Sequence, residues 1–122
     1  MEYHVNFLEE KHMLHGVIVG ILNIDLAKTY LSKIGCLAQS NNIKKVLTDV
    51  RQSIIAIDEE KLIELSKSLN HLGFGSELKR ALLIKEDVKL FKQWENLNFI
   101  EGMPQLRLFI EEDLALEWLH SD

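Results

Sequence analysis

The period of the apolar positions switches repeatedly between about two and about 3.6 along this chain, and each switch marks an element. Tyr3, Val5 and Phe7 alternate with His4 and Asn6, as in a half-buried strand. Glu9, Glu10 and Lys11 break the alternation, and His12 to Val19 resumes it as a second strand. The two are expected to pair as an antiparallel hairpin centred on Glu10, with His4 near Gly16 and Leu8 near His12. Gly20 is expected to end the second strand. Asn23 can then accept a free backbone N–H of a first helical turn. Ala27, Tyr30, Leu31, Ile34, Leu37 and Ala38 follow at helical spacing as one apolar stripe. Cys36 falls on the opposite side of that helix, and Ser40, Asn41 and Asn42 stop it.

Residues 44–50 are short, β-branched and mostly apolar, the pattern of a central strand. A loop is expected from Asp49 to Asp58. Asp58 can cap a second helix whose first turn carries Glu59 and Glu60, favourable against the positive end of the helix dipole. Leu62, Leu65, Leu69 and Leu72 give its buried stripe, and Gly73 to Ser76 reads as a turn. Arg80 to Ile84 is apolar on both faces, as in a covered sheet interior. Glu86 and Asp87 open a third helix, with Leu90, Phe91, Trp94 and Leu97 on one side. After a loop from Asn98 to Gln105, Leu106, Leu108 and Ile110 alternate with Arg107. Glu111, Glu112 and Asp113 then start a short helix carrying Leu114, Ala115, Trp118 and Leu119.

The resulting order, ββαβαβαβα, predicts an α/β fold with a mixed, mainly parallel five-stranded sheet and about four helices. With 122 residues, one domain spanning 1–122 is expected. Nineteen acids against 14 bases leave a net charge of −5, which disfavours non-specific binding to nucleic acid or anionic lipid. The single cysteine excludes an internal disulfide framework. No apolar run approaches the ~18 residues of a membrane span, and residues 1–4 lack the charge pattern of a signal peptide. A cytoplasmic protein is the expectation, with homo-oligomerisation left open.

Three stretches carry a family resemblance. Gly20-Ile21-Leu22-Asn23-Ile24-Asp25 is similar to a Gly-x-Leu-Thr entry into helix one. Val46-Leu47-Thr48-Asp49-Val50-Arg51 is similar to a Leu-x-Asp-x-Arg strand end. Arg107-Leu108-Phe109-Ile110, with Ala115-Leu116-Glu117-Trp118-Leu119, is similar to a closing Arg-x-Phe and Ala-x-x-Trp-Leu pair. These motifs resemble those of the SpoIIAA-like family of STAS and CRAL-TRIO-type domains in bacteria. The resemblance implies the SpoIIAA-like (STAS) fold and a non-enzymatic regulatory or interaction module. Phospho-regulated members carry Ile-Asp-Ser-Ser-Gly-Leu at the start of helix two. Here the similar place reads Ile57-Asp58-Glu59-Glu60-Lys61-Leu62, so the resemblance implies no phosphoserine switch.

Candidate chemistry is sparse. Asp49 and Arg51 share a face at a strand end, where open α/β sheets bind ligands, or else they order the following loop. Ser53 lacks a nucleophile elbow. Histidines 4, 12, 15, 71 and 120 show no metal-ligand spacing, and neither a metal nor another cofactor is expected. Cys36 has no cationic neighbour nearer than Lys33 to activate it. Gly73-Phe74-Gly75-Ser76 lacks the Lys and helix of a phosphate loop. Phe91, Trp94, Phe99 and Phe109 are either core or the lining of an apolar pocket. The first expectation is therefore a protein partner bound through Asp49, Arg51, Ser53, Asp58, Glu59 and Glu60. The alternative, which the CRAL-TRIO likeness implies, is a small apolar or lipid-like ligand held among the late aromatics.

Overall fold

The computed structural model describes residues 2–86 and 89–121. β1 (Glu2–Leu8) and β2 (Met13–Leu22) form the antiparallel hairpin. Their register differs by one residue from the expected one: His4 lies opposite Val17, and Leu8 opposite Met13. The turn is the reason. Glu9–Lys11 makes one turn of 3₁₀ helix, and His12 follows in the left-handed conformation at φ 51°. His12 is thus a loop residue, not a strand residue. A one-residue slip turns every side chain to the other face, so His4 and His12 do not share one.

β2 also runs past Gly20 to Leu22, because β3 (Lys45–Ile55) continues beside it. Ile21 pairs with Ile54 and Leu22 with Ile55. Most of the expected loop from Asp49 to Asp58 is therefore strand. Within this ladder Val17 pairs with Asp49 but Val19 pairs with Gln52, so β3 carries one extra residue in a bulge.

The caps form as their chemistry requires. Asn23 accepts from the Leu26 N–H at 2.8 Å and opens α1 (Ile24–Ser40). Asp58 accepts from the Lys61 N–H at 2.8 Å and opens α2 (Glu59–Lys67). α2 is short. Leu69 and Leu72 belong to a separate 3₁₀ turn, closed by Gly73 at φ 93°. β4 (Lys79–Leu83), α3 (Lys89–Ile100), β5 (Leu106–Phe109) and α4 (Glu112–Leu119) complete the order. Asp87, expected in the first turn of α3, lies outside the described residues.

The strands lie side by side in chain order, β1-β2-β3-β4-β5, with β2 to β5 parallel. Each crossover moves to the next neighbour, so right-handed connections place α1, α2 and α3 on one face. α4 follows the last strand and packs on the other face, against β3, β4 and β5. The larger core lies under α1–α3, built on Leu14, Ile18, Ile34, Val46, Leu65 and Leu82 among others. The smaller one joins Met13, Leu47, Ala81 and Leu83 to Ala115 and Leu119 of α4. Ile110 and Leu114, read as apolar-face residues, are instead exposed: β5 ends at Phe109, before Ile110, and α4 turns Leu114 outward.

Gly16 sets the spacing in the larger core. A Cβ there would come within 2.0 Å of the Tyr30 hydroxyl oxygen. Its absence lets the Tyr30 ring lie on the sheet and reach Thr48, whose hydroxyl is 2.6 Å away. Burial pushes the Tyr30 phenol well above its ordinary range, despite the Thr48 hydrogen bond.

Candidate functional site

The six polar candidates fall into two groups on the two sides of the sheet. Asp49 and Arg51 belong with α4. Arg51 donates from Nε to Asp49 Oδ1 at 3.0 Å and from Nη2 to Asp49 Oδ2 at 2.8 Å. Its backbone N–H also donates to Asp49 Oδ1, at 2.9 Å, across the bulge. Nη2 reaches Glu112 Oε1 in the first turn of α4 at 3.3 Å. Burial would raise the Asp49 carboxyl. Hydrogen bonds from Arg51, its charge and that of His15 outweigh it and hold the group below its ordinary value. The Asp49 hydrogen bond also raises the Arg51 guanidinium. Each Asp49 oxygen thus already has a donor, and because β3 runs on to Ile55 the pair sits in mid-strand, not at the expected strand end, and ties the middle of β3 to α4.

Ser53 is engaged as well: its hydroxyl donates to the Ile18 carbonyl at 2.8 Å, next to the bulge. Asp58, Glu59 and Glu60 are exposed at the start of α2, on the other side of the sheet. The Ala56 N–H, donating to Leu22 O at 2.8 Å, fixes this helix start to the end of β2.

Two residues that the sequence reading did not single out lie at the same rim. Ile21 and Ile54 face each other in register, 56% and 69% exposed. Half-buried Val17 and Val19 continue the apolar row along β2. α4 covers the lower part of this face, at Met13 and Leu47. Alternation alone reads Ile21 as core; only the footprint of α4 leaves it outside.

The late aromatics separate. Phe91 and Trp94 line a cavity of about 100 Å³ between the sheet and α1–α3. Phe99 lies outside it, 69% exposed on α3. Phe109 lies on the other face, its ring 5.7 Å from that of Trp118. The cavity walls are apolar apart from Tyr30, Thr48 and Arg80. Arg80 is a further residue the sequence reading missed. The available signal was its parity: on a strand covered on both faces, it shares the side of Leu82 and Ile84. It is buried, its Nε has no hydrogen-bond partner, and burial pushes its guanidinium down to about 10. Holding an unpaired charge out of water costs several kcal/mol.

The histidines are dispersed. His12 Nε2 lies 3.1 Å from the Asn42 carbonyl, and His120 Nδ1 lies 3.4 Å from Lys45 Nζ. Burial, then Lys45, Lys11 and Lys79, lower the His120 imidazole. Among the described residues, no group of three or more His, Cys, Asp or Glu side chains could hold a metal ion. Cys36 is exposed.

No family model matches the sequence, and no curated protein matches it. Solved structures do match. The anti-sigma factor antagonist SpoIIAA, in its unphosphorylated form, aligns with a TM-score of 0.59 over 99% of this chain and 100% of its own, at 9% identity. The chain has the SpoIIAA-like fold. An uncharacterised protein of the DUF3478 family from Shewanella loihica, with the same fold, aligns with a TM-score of 0.58 at 18% identity. That match covers 97% of this chain and 92% of the other. Among the described residues, no helix is long and apolar enough to cross a membrane.

Proposed function

We propose that the chain is a non-enzymatic regulatory or interaction module of the STAS type, binding a protein partner at the rim where β2, β3 and α2 meet. The observation carrying this reading is the exposed Ile21–Ile54 pair on the α4 side of the sheet end, with the acidic start of α2 at Asp58, Glu59 and Glu60 a few residues on, around the same rim on the opposite side. Apolar anchors with a charged rim are the usual anatomy of a binding patch. The fitting partner surface is apolar with basic residues at its edge. Asp49, Arg51 and Ser53 serve this surface indirectly, by setting the course of β3. The likeness to an anti-sigma factor antagonist supports a partner that is itself a protein. Glu59 and Glu60 give the helix start a fixed negative charge, so the surface works without a phosphoserine switch.

Pull-downs from a native lysate test this, with wild type, the Asp58→Ala/Glu59→Ala/Glu60→Ala variant and the Ile21→Ser/Ile54→Ser variant as baits. A partner held by wild type is expected to be lost from both variants, with binding weakened by salt. Equal recovery on all three baits would rule out this surface.

A second reading has its own observation. The cavity lined by Phe91 and Trp94 supports binding of a small apolar ligand.

A further inference from the structure

β1 is one edge of the sheet and β5 the other. An edge strand turns the N–H and C=O groups of alternate residues away from the sheet. Natural folds guard such an edge with charged side chains, proline, a bulge or brevity. β5 has two of these guards: it is four residues long, and Arg107 stands exposed on it. β1 has none of them. It runs for seven residues and pairs with β2 without a bulge. It holds no proline, lysine or arginine, and residues 3–8 include no acid.

The side chains of β1 also suit a neighbour. Tyr3, Val5 and Phe7 point to the α1 side, since their partners on β2 include Ile18 and Leu14 of the larger core. Tyr3 and Val5 are only half-buried, and Phe7 is 42% exposed. The Tyr3 ring is held edge-on against Tyr30, with centroids 5.6 Å apart. The other face of β1 presents His4 and Asn6, both exposed.

We propose that β1 pairs antiparallel with β1 of a second copy of this chain, joining two five-stranded sheets into one. Val5 is the middle residue of Glu2–Leu8. A twofold axis through it aligns the whole of both strands. Val5 then lies opposite its own copy, Tyr3 opposite Phe7, and His4 opposite Asn6. Opposed residues share a face, so Tyr3, Val5 and Phe7 of the two copies form one continuous apolar row. Aromatic and β-branched cross-strand pairs of this kind are the favourable ones.

Charge selects the same line of contact. The chain carries a net charge of −5, so two copies repel wherever their acidic surfaces meet. Residues 3–8 give them a strip without acids. The turn that carries Glu9 and Glu10 falls at opposite ends of the paired strands, so the two turns do not face each other. A twofold contact also closes on itself, whereas β1 on β5 of the next copy would propagate into a filament. The Ile21–Ile54 rim stays free, because β1 reaches only as far as Val19 on β2.

Sedimentation velocity of the intact 14.1 kDa chain over a concentration series tests this. One strand pair is a small interface, so the mass is expected to double as concentration rises. Added salt should not weaken the association, unlike binding at the acidic rim. His4→Lys/Asn6→Lys sets lysines directly opposite each other in this register. That variant is expected to stay monomeric where wild type is dimeric, with an unchanged urea midpoint because both side chains are exposed. A wild type that is monomeric throughout, or a dimer that survives the lysine pair, would overturn the proposal. Should the variant not fold, amide hydrogen exchange on wild type decides. The amides of β1 are expected to slow as concentration rises; slowing confined to other elements overturns the pairing. Amides of β1 that slow only when a different protein is added assign the edge to a foreign strand, and overturn it too.

Discussion

A methyl group on residue 16 has nowhere to go, because the Tyr30 hydroxyl oxygen would lie 2.0 Å from it. Gly16→Ala is therefore expected to cost about 1–3 kcal/mol, the usual range for overpacking a filled core. Urea unfolding monitored by circular dichroism measures it. Adding Tyr30→Leu removes the clashing ring, so the double variant should lose less than the sum of the two single losses. A strictly additive pair would mean that Gly16 is constrained by something other than Tyr30. Neither this contact nor the burial of Arg80 could be read from residue type. Glycine in a strand signals close approach without naming the partner, and an arginine at a strand start reads as solvated until the packing is known.

At the scale of elements, the helix starts were the most legible features, because capping is local chemistry. Asn23 and Asp58 were read from their own side chains and the turns that follow, and both accept the expected type of backbone N–H. Asp58→Ala should cost about 1 kcal/mol, read as a lowered urea midpoint with an unchanged slope. Asp58→Ser should restore most of it. No loss in the alanine variant would show that α2 is held by packing alone. The hairpin register and the far end of β3 were not legible. The first depends on one left-handed residue, His12, which no side chain demanded. The second depends on a bulge that breaks the period-two alternation on which strand reading relies. The α4 stripe failed at Leu114 for a related reason: a helix on a sheet buries only the part of its face that the sheet reaches.

The order of the whole molecule was legible because right-handed crossovers leave few topologies for alternating strands and helices. How α4 is joined to the sheet was not, since that depends on Asp49, Arg51 and Glu112 meeting on one face. This joint gives the molecule an acid limit. The folded Asp49 carboxyl lies below its ordinary value of 3.8, so between the two values the unfolded chain binds more protons. The stabilisation is complete above the unfolded value and is lost as pH falls through the folded one. The stability difference between wild type and Asp49→Asn should thus hold from pH 7 down to about pH 5 and shrink below about pH 4. Chemical denaturation of both proteins across that range measures it; a difference that persists unchanged at about pH 2 would contradict the role given to the carboxylate.

The bulge in β3 has a consequence for how this chain compares with others of its fold. Before it, odd-numbered residues such as Leu47 face α4; after it, Ile55 faces α1–α3 and Ile54 faces out. The extra residue acts like a frameshift in space. A gap-free superposition onto a strand without it would equate interior positions with surface ones from about Arg51 onward. For the same reason, deleting one residue at Arg51 or Gln52 would turn Ile54 inward and part it from Ile21 on β2, while most substitutions there would leave the pair standing.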